Sequence, residues 1–167
     1  VATVLAVPGA LEAKVISVSD SVVAGAREDL SGPAVAECLA TAGYHVVELR
    51  AVADGSVSVR EAVLAAADGF AGLIVTAGGT GFGPRDLTPE GTAAALEREA
   101  PGLAEAMRAA DPRGRLTRGV AGTVGRAIVC NVPGSPGGAT ASLTAVLDVL
   151  PHALALVAGE DPHRSPS

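Results

Sequence analysis

The residues of this chain best suited to chemistry lie in one short loop, Gly78-Gly79-Thr80-Gly81-Phe82-Gly83-Pro84-Arg85-Asp86. Glycines let a backbone turn sharply and bring its N–H groups close to an anion such as phosphate. Thr80 adds a hydroxyl donor beside them. Asp86 has the chemistry to hold a hard cation such as Mg²⁺, which usually sits on one or two carboxylates and the phosphates of a substrate. Arg85 can bind a phosphate or pair with a carboxylate, and the residue types leave both open. The loop is neither of the commonest phosphate motifs. It lacks the Lys-Ser/Thr of a P-loop, and its glycine spacing breaks the dinucleotide pattern. By residue type alone, a glycine-rich turn with a surface ion pair is an equally good reading.

Three other loops offer similar groups: Ser19-Asp20, then Val52-Ala53-Asp54-Gly55, then Asn131-Val132-Pro133-Gly134-Ser135-Pro136. Each follows a segment that reads as a strand. Such loops also form plain turns, because Ser and Asp bond readily to nearby backbone, and Asp54 could simply cap a helix.

The elements that must position these loops alternate along the chain. Lys14 to Val18 predicts a first strand and Tyr44 to Leu49 a second. Leu73-Ile74-Val75 is a short apolar run, the pattern of a strand buried on both faces. Arg126 to Val132 predicts the last strong strand. Residues 22–32 read as a loop. A helix follows from Ser31-Gly32-Pro33, with Val35, Cys38, Leu39 and Ala42 as its apolar stripe and Gly43 as its stop. Ser58 and Glu61 suggest a capping box for the next helix, whose stripe is Val59, Ala62, Val63 and Ala66. Thr88 suits an N-cap, Pro89 a first helical position and Glu90 a first turn. Thr92 to Ala110 predicts one long helix, bent or interrupted at Pro101-Gly102, and 111–125 an Arg- and Gly-rich loop. A final helix carries Leu143, Val146, Leu147, Leu150, Leu154 and Val157, with a kink or restart at Pro151.

This alternation predicts an α/β fold: a three-layer α/β/α sandwich around a mostly parallel sheet. One domain is expected over 12–158, with an extension at 1–11 and a disordered tail at 159–167. Ligands of such sheets bind at the carboxyl ends of the strands, so Asp20, Asp54 and Asp86 are expected on one rim.

Composition narrows the partners. The net charge is −6, and Lys14 is the only lysine. That argues against nucleic acid and anionic membrane, both of which want a basic surface. Aromatic content is 2% against 49% hydrophobic, so the core must be built from Ala, Val, Leu and Ile. Cys38 and Cys130 read as buried small hydrophobes in a reducing cytoplasm, without metal-site spacing to any histidine. No apolar run reaches transmembrane length.

The string Gly78-Gly79-Thr80-Gly81-x-x-x-Arg85-Asp86-x-Thr88-Pro89-Glu90 resembles the signature of the Mog/MoaB family, the molybdopterin-binding domains of molybdenum cofactor biosynthesis. Asn131-Val132-Pro133-Gly134-Ser135-Pro136 resembles the family's second signature, and Leu116-Thr117-Arg118 a third segment. Gly137-Gly138 stands where members often have Lys. The resemblance covers about residues 14–158.

It implies transfer of AMP from ATP to molybdopterin with Mg²⁺. Asp54 and Asp86 would then be catalytic and would position the metal. Ser19, Asp20, Gly78, Gly79, Thr80, Gly81, Arg85, Thr88, Pro133, Gly134 and Ser135 would bind substrate. It also implies a homotrimer that passes its product to a molybdate-inserting protein. A non-catalytic pterin-binding module of MoaB type is the main alternative. A nucleotide pyrophosphatase related to CinA-type proteins is a weaker one.

Overall fold

The structure, a computed structural model, describes residues 10–160. The expected tail beyond Glu160 and the extension before Ala10 lie outside the described residues.

The central strand is β3, Leu73–Ala77, and all of its residues are buried. Parallel to it run β1 (Glu12–Val18) on one side and β6 (Ala127–Val132) on the other. Beyond β1 lies the parallel edge strand β2 (His45–Val52). Beyond β6 the sheet turns antiparallel through β5 (Ala121–Val124) to β4 (Arg98–Glu99). The strand order is β2-β1-β3-β6-β5-β4, a mostly parallel six-stranded sheet.

Both faces of this sheet are covered, which is why its central strands read as unbroken apolar runs. On one face pack α2 (Ser31–Thr41), α5 (Pro101–Ala109), α6 (Pro136–Thr144) and α7 (Leu150–Val157). There Val15, Leu73, Val75, Leu39, Met107 and Leu143 form one core. On the other face α3 (Ser56–Ala67) and α4 (Thr88–Ala95) pack on each other. There Ile16, Ile74, Val129, Val59 and Val63 form a second core. Alternate β3 residues point into opposite layers, as strand geometry requires. The expected sandwich is the observed one.

Several local expectations give way. The predicted helix over 92–110 is two helices with β4 between them. The chain leaves α4 at Ala95, and the N–H groups of Glu97 and Ala100 donate to Thr123 and Ala121 carbonyls of β5. Pro101 has no N–H to give a continuing helix, but it fits the first turn of α5. The Arg- and Gly-rich loop contains β5 and a short 3-10 helix, Pro112–Leu116. Residues 20–23, at the start of the predicted loop, form a one-turn helix α1 (Asp20–Val23).

The capping box at Ser58 does not form. Helix α3 starts at Ser56 after Gly55, and the Ser58 hydroxyl lies against the Ala53, Asp54 and Gly55 carbonyls instead. Thr88 is the first residue of α4 rather than its N-cap. Pro151 restarts the chain as α7 after a turn over 145–149.

Candidate functional site

The strands β1, β2, β3 and β6 run in one direction, so the loops after Val18, Val52, Ala77 and Val132 open on one rim. This brings the Asp20, Asp54 and glycine loops together, with Pro133-Gly134 alongside.

The glycine loop starts where β3 ends. Gly78 has φ +109 and Gly79 φ +64, values that strain any side chain. A Cβ on Gly78 would lie 2.4 Å from the Val18 carbonyl oxygen. A Cβ on Gly79 would lie 2.3 Å from Thr88 Oγ1 and 3.0 Å from Asp54 Oδ1. Glycine here lets the backbone pass between β1, the Asp54 loop and the start of α4. The Gly78 N–H donates to the Val132 carbonyl, joining this loop to the one after β6.

Arg118 braces the loop from outside. Its backbone N–H donates to the Thr80 carbonyl, its Nε to the Gly81 carbonyl at 2.8 Å and its Nη2 to the Asp86 carbonyl at 2.6 Å. Its Nη1 pairs with Glu90, and that hydrogen bond holds the Glu90 carboxyl below its ordinary range. Sequence reasoning quoted Arg118 within a motif and gave it no role. A guanidinium presents several donors in a fixed fork, which suits it to three separate loop acceptors.

A second clamp ties the acidic loops. Asp20 Oδ1 accepts the Asp54 N–H at 3.0 Å, and Asp54 Oδ2 accepts the Asp20 N–H at 2.8 Å. Arg85 forks onto both Asp20 oxygens, at 3.0 and 3.1 Å, and donates to the Asp54 carbonyl at 2.8 Å. Hydrogen bonds from Arg85 hold the Asp20 carboxyl below its usual range and push the Arg85 guanidinium up. In this structure Arg85 makes the carboxylate pairing, and Asp20 with Arg85 builds the rim. Ser19 caps α1 through a 3.3 Å bond to the Val22 N–H.

Asp54 does not cap α3, whose N-cap Gly55 has no side-chain partner. Its Oδ1 has no protein hydrogen bond among the described residues and faces the backbone of Gly79. Asp86 is similar: Oδ2 accepts the Gly83 N–H at 2.9 Å, and Oδ1 has no such partner.

Two cavities flank this ridge. One, of about 360 Å³, is lined by Thr80, Gly81, Pro133, Ser135 and Ser142, with the 3-10 helix on its far side. The other, of about 220 Å³, is lined by Ser19, Asp54 and Gly78, with Arg27 and Asp29 at its edge. Gly79, Asp86 and Gly134 line both. Asp20, Arg85 and Thr88 line neither. Ser142 and Arg113 were not singled out from sequence, and Thr117 was quoted within a motif without a role. They come from helices and turns that only the fold brings over this rim.

Behind the site, buried Asn131 donates to Thr76 Oγ1 at 2.7 Å and Thr92 Oγ1 at 2.9 Å, and accepts the Val120 N–H. It fastens β3, α4 and the approach to β5 in one network. Thr88 Oγ1, by contrast, is buried without a partner beside Gly79. The oxygens of Asp54, Asp86 and Thr88 are hard donors that suit Mg²⁺ completed by substrate phosphates. Among the described residues no group of three His, Cys, Asp or Glu could hold a metal without such help. Cys130 is fully buried, and burial pushes its thiol up to about 12, so it is no nucleophile.

Residues 14–152 match the family model described as "probable molybdopterin binding domain". The chain belongs to this family. A molybdopterin adenylyltransferase from Helicobacter pylori is 34% identical over 87% of this chain and 86% of its own length. A molybdenum cofactor biosynthesis bifunctional protein from Synechococcus elongatus is 36% identical over 89% of this chain. The match spans only 48% of that larger protein. Among solved structures, the molybdopterin biosynthesis enzyme MoaB of Thermus thermophilus superposes with TM-score 0.84 at 45% identity, over 90% of this chain and 98% of its own.

Among the described residues no helix is long and apolar enough to cross a membrane.

Proposed function

We propose that this domain transfers AMP from ATP to the terminal phosphate of molybdopterin. One observation carries the reading: Asp86, with a free carboxylate oxygen, lies on the ridge shared by two cavities. A reaction between two large anionic substrates needs two adjoining sites and a charged group where they meet.

The balance is simple. An oxygen of the molybdopterin phosphate bonds to the α-phosphorus of ATP, the bond from that phosphorus to the bridging oxygen breaks, and pyrophosphate leaves. No covalent enzyme intermediate is required. The protein's contribution is alignment and charge compensation.

The free N–H groups of the glycine loop, Thr80 and Ser135 would hold phosphate oxygens in the larger cavity. Asp54 and Asp86 would hold Mg²⁺ through their unpartnered oxygens, where the ion supplies charge neutralisation. The Asp20–Arg85 clamp fixes where Asp54 points. Arg118 fixes the height of the loop under Asp86. Homotrimeric assembly, cytoplasmic residence and delivery to a molybdate-inserting protein belong to the same reading and rest on the family resemblance.

The experiment is direct. Purified protein, ATP, Mg²⁺ and molybdopterin are incubated, and the adenylylated pterin and pyrophosphate are measured. Both should appear in equal amounts. Pterin binding without either product would make this a carrier of MoaB type.

A further inference from the structure

The larger cavity has an unbalanced lining for a site that holds anions. Its acidic members are Asp86 and Asp111, and Arg113 is its one basic residue. Net charge −6 leaves no general positive field to make up the difference. Four of the arginines placed nearest this rim or behind it have structural partners. Arg85 is held by Asp20, Arg118 by Glu90 and the glycine loop, Arg108 by the Gly119 carbonyl, and Arg115 by the Pro112 carbonyl.

Arg113 is held differently. Its Nε lies 3.5 Å from Asp111 Oδ1, beyond good hydrogen-bond length, and its side chain is 78% exposed. That same Asp111 oxygen already accepts the Arg113 backbone N–H at 2.7 Å, as cap of the 3-10 helix. The two terminal nitrogens of Arg113 have no protein partner among the described residues.

Across the cavity the Ser135–Gly138 corner carries no charge at all. A Cβ on Gly138 would meet Ser135 Oγ at 2.6 Å, whereas one on Gly137 would meet nothing within 4 Å. Gly138 lines the cavity and Gly137 does not, so Arg113 is the basic side chain in the lining.

We propose that Arg113 is the specificity-determining counter-charge of the larger cavity, swinging from Asp111 to a phosphate group of the bound substrate. The identity of that phosphate, from ATP or from molybdopterin, rests on the reaction proposed above. So does the expectation that the cavity takes a phosphate, which binding measures without turnover. An arginine matches a phosphate with paired donors, and such charge-assisted bonds are about twice as strong as neutral ones.

The test is equilibrium binding by calorimetry of ATP, molybdopterin and inorganic pyrophosphate, each alone, to the folded chain. Arg113→Ala should weaken at least one of the three about tenfold, with a shallower dependence on salt. Arg113→Lys should keep most of the affinity. Which ligand responds identifies the phosphate. Unchanged affinity for all three in Arg113→Ala overturns the proposal, as does a loss that Arg113→Lys does not recover. If the wild type binds but transfers no AMP, the adenylyl-transfer reading fails while these binding results still decide the role of Arg113.

Discussion

The two loops that meet at Gly78 and Gly134 are built by opposite means. The glycine loop after β3 is tied to other elements at several points: the Arg118 side chain holds the Gly81 and Asp86 carbonyls and is itself held by Glu90, Arg85 reaches across to Asp20 and Asp54, and the backbone N–H groups of Arg118 and Thr88 donate to the Thr80 and Gly79 carbonyls. The loop after β6 is fixed mainly by its own backbone and proline, with the Ala139 N–H donating to the Ser135 carbonyl. Ser135, although the N-cap of α6, makes no capping bond. The difference separates two tasks. On the proposed reaction the first loop would hold carboxylates at fixed points against a reacting phosphate, and a rigid brace makes such electrostatic support effective. The second would leave the Ser135 hydroxyl for a ligand.

The largest effect should come from breaking the rigid side. Gly79→Val places a branched side chain where Thr88 and Asp54 already stand, at positive φ. Substrate binding should vanish by calorimetry, with a cooperative thermal melt retained. Unchanged pterin affinity would show that this loop is not the anion cradle.

Asp86→Asn keeps size and removes charge on the shared ridge. Turnover should fall at least about a hundredfold while pterin affinity persists, the pattern of support given mainly in the transition state. Turnover close to wild type would remove Asp86 from the mechanism.

Asp54→Ala should cut transfer less, and added Mg²⁺ should partly restore it. It also removes the acceptor for the Asp20 N–H, so the melting temperature should fall slightly. A lowered melting temperature with an unchanged Mg²⁺ curve would make Asp54 purely structural.

The smallest effect concerns pH. Asp20 and Glu90 both have carboxyls depressed by an arginine. A depressed acid contributes stability that is present above its ordinary pKa and is lost as pH falls through the lower folded value. Loop order, followed by amide exchange of residues 79–86, should hold from neutral pH down through the ordinary carboxylate range and give way only below it. Both groups are largely exposed, so the gain for global stability is small. Loosening already near pH 6 would contradict the two clamps.

The sheet was legible in the sequence because buried parallel strands are short apolar runs, and Leu73-Ile74-Val75 shows that without ambiguity. β4 was not, because Arg98–Glu99 is an exposed two-residue edge with no apolar pattern to read. In the site, Asp54, Asp86, Gly79 and Ser135 were legible from residue type, loop position and resemblance. What Arg85 does was not: both a phosphate and Asp20 were available to it, and only the fold shows that Asp20 comes within 3.0 Å. Arg118 lies far along the chain from the glycine loop it braces, in a segment whose glycines and arginines look like ordinary surface. A buried hub such as Asn131 declares itself only when Thr76 and Thr92 are seen beside it.

On the proposed reaction, Asp54 and Asp86 act on the same phosphate and metal centre from two loops. Single-turnover transfer of labelled AMP from ATP to molybdopterin, in wild type, Asp54→Ala, Asp86→Asn and the double variant, tests it most directly. Residues that act as one unit are strongly non-additive. The double variant should be no more than slightly slower than Asp86→Asn alone. Losses that multiply would mean that the two carboxylates work independently, and would contradict it.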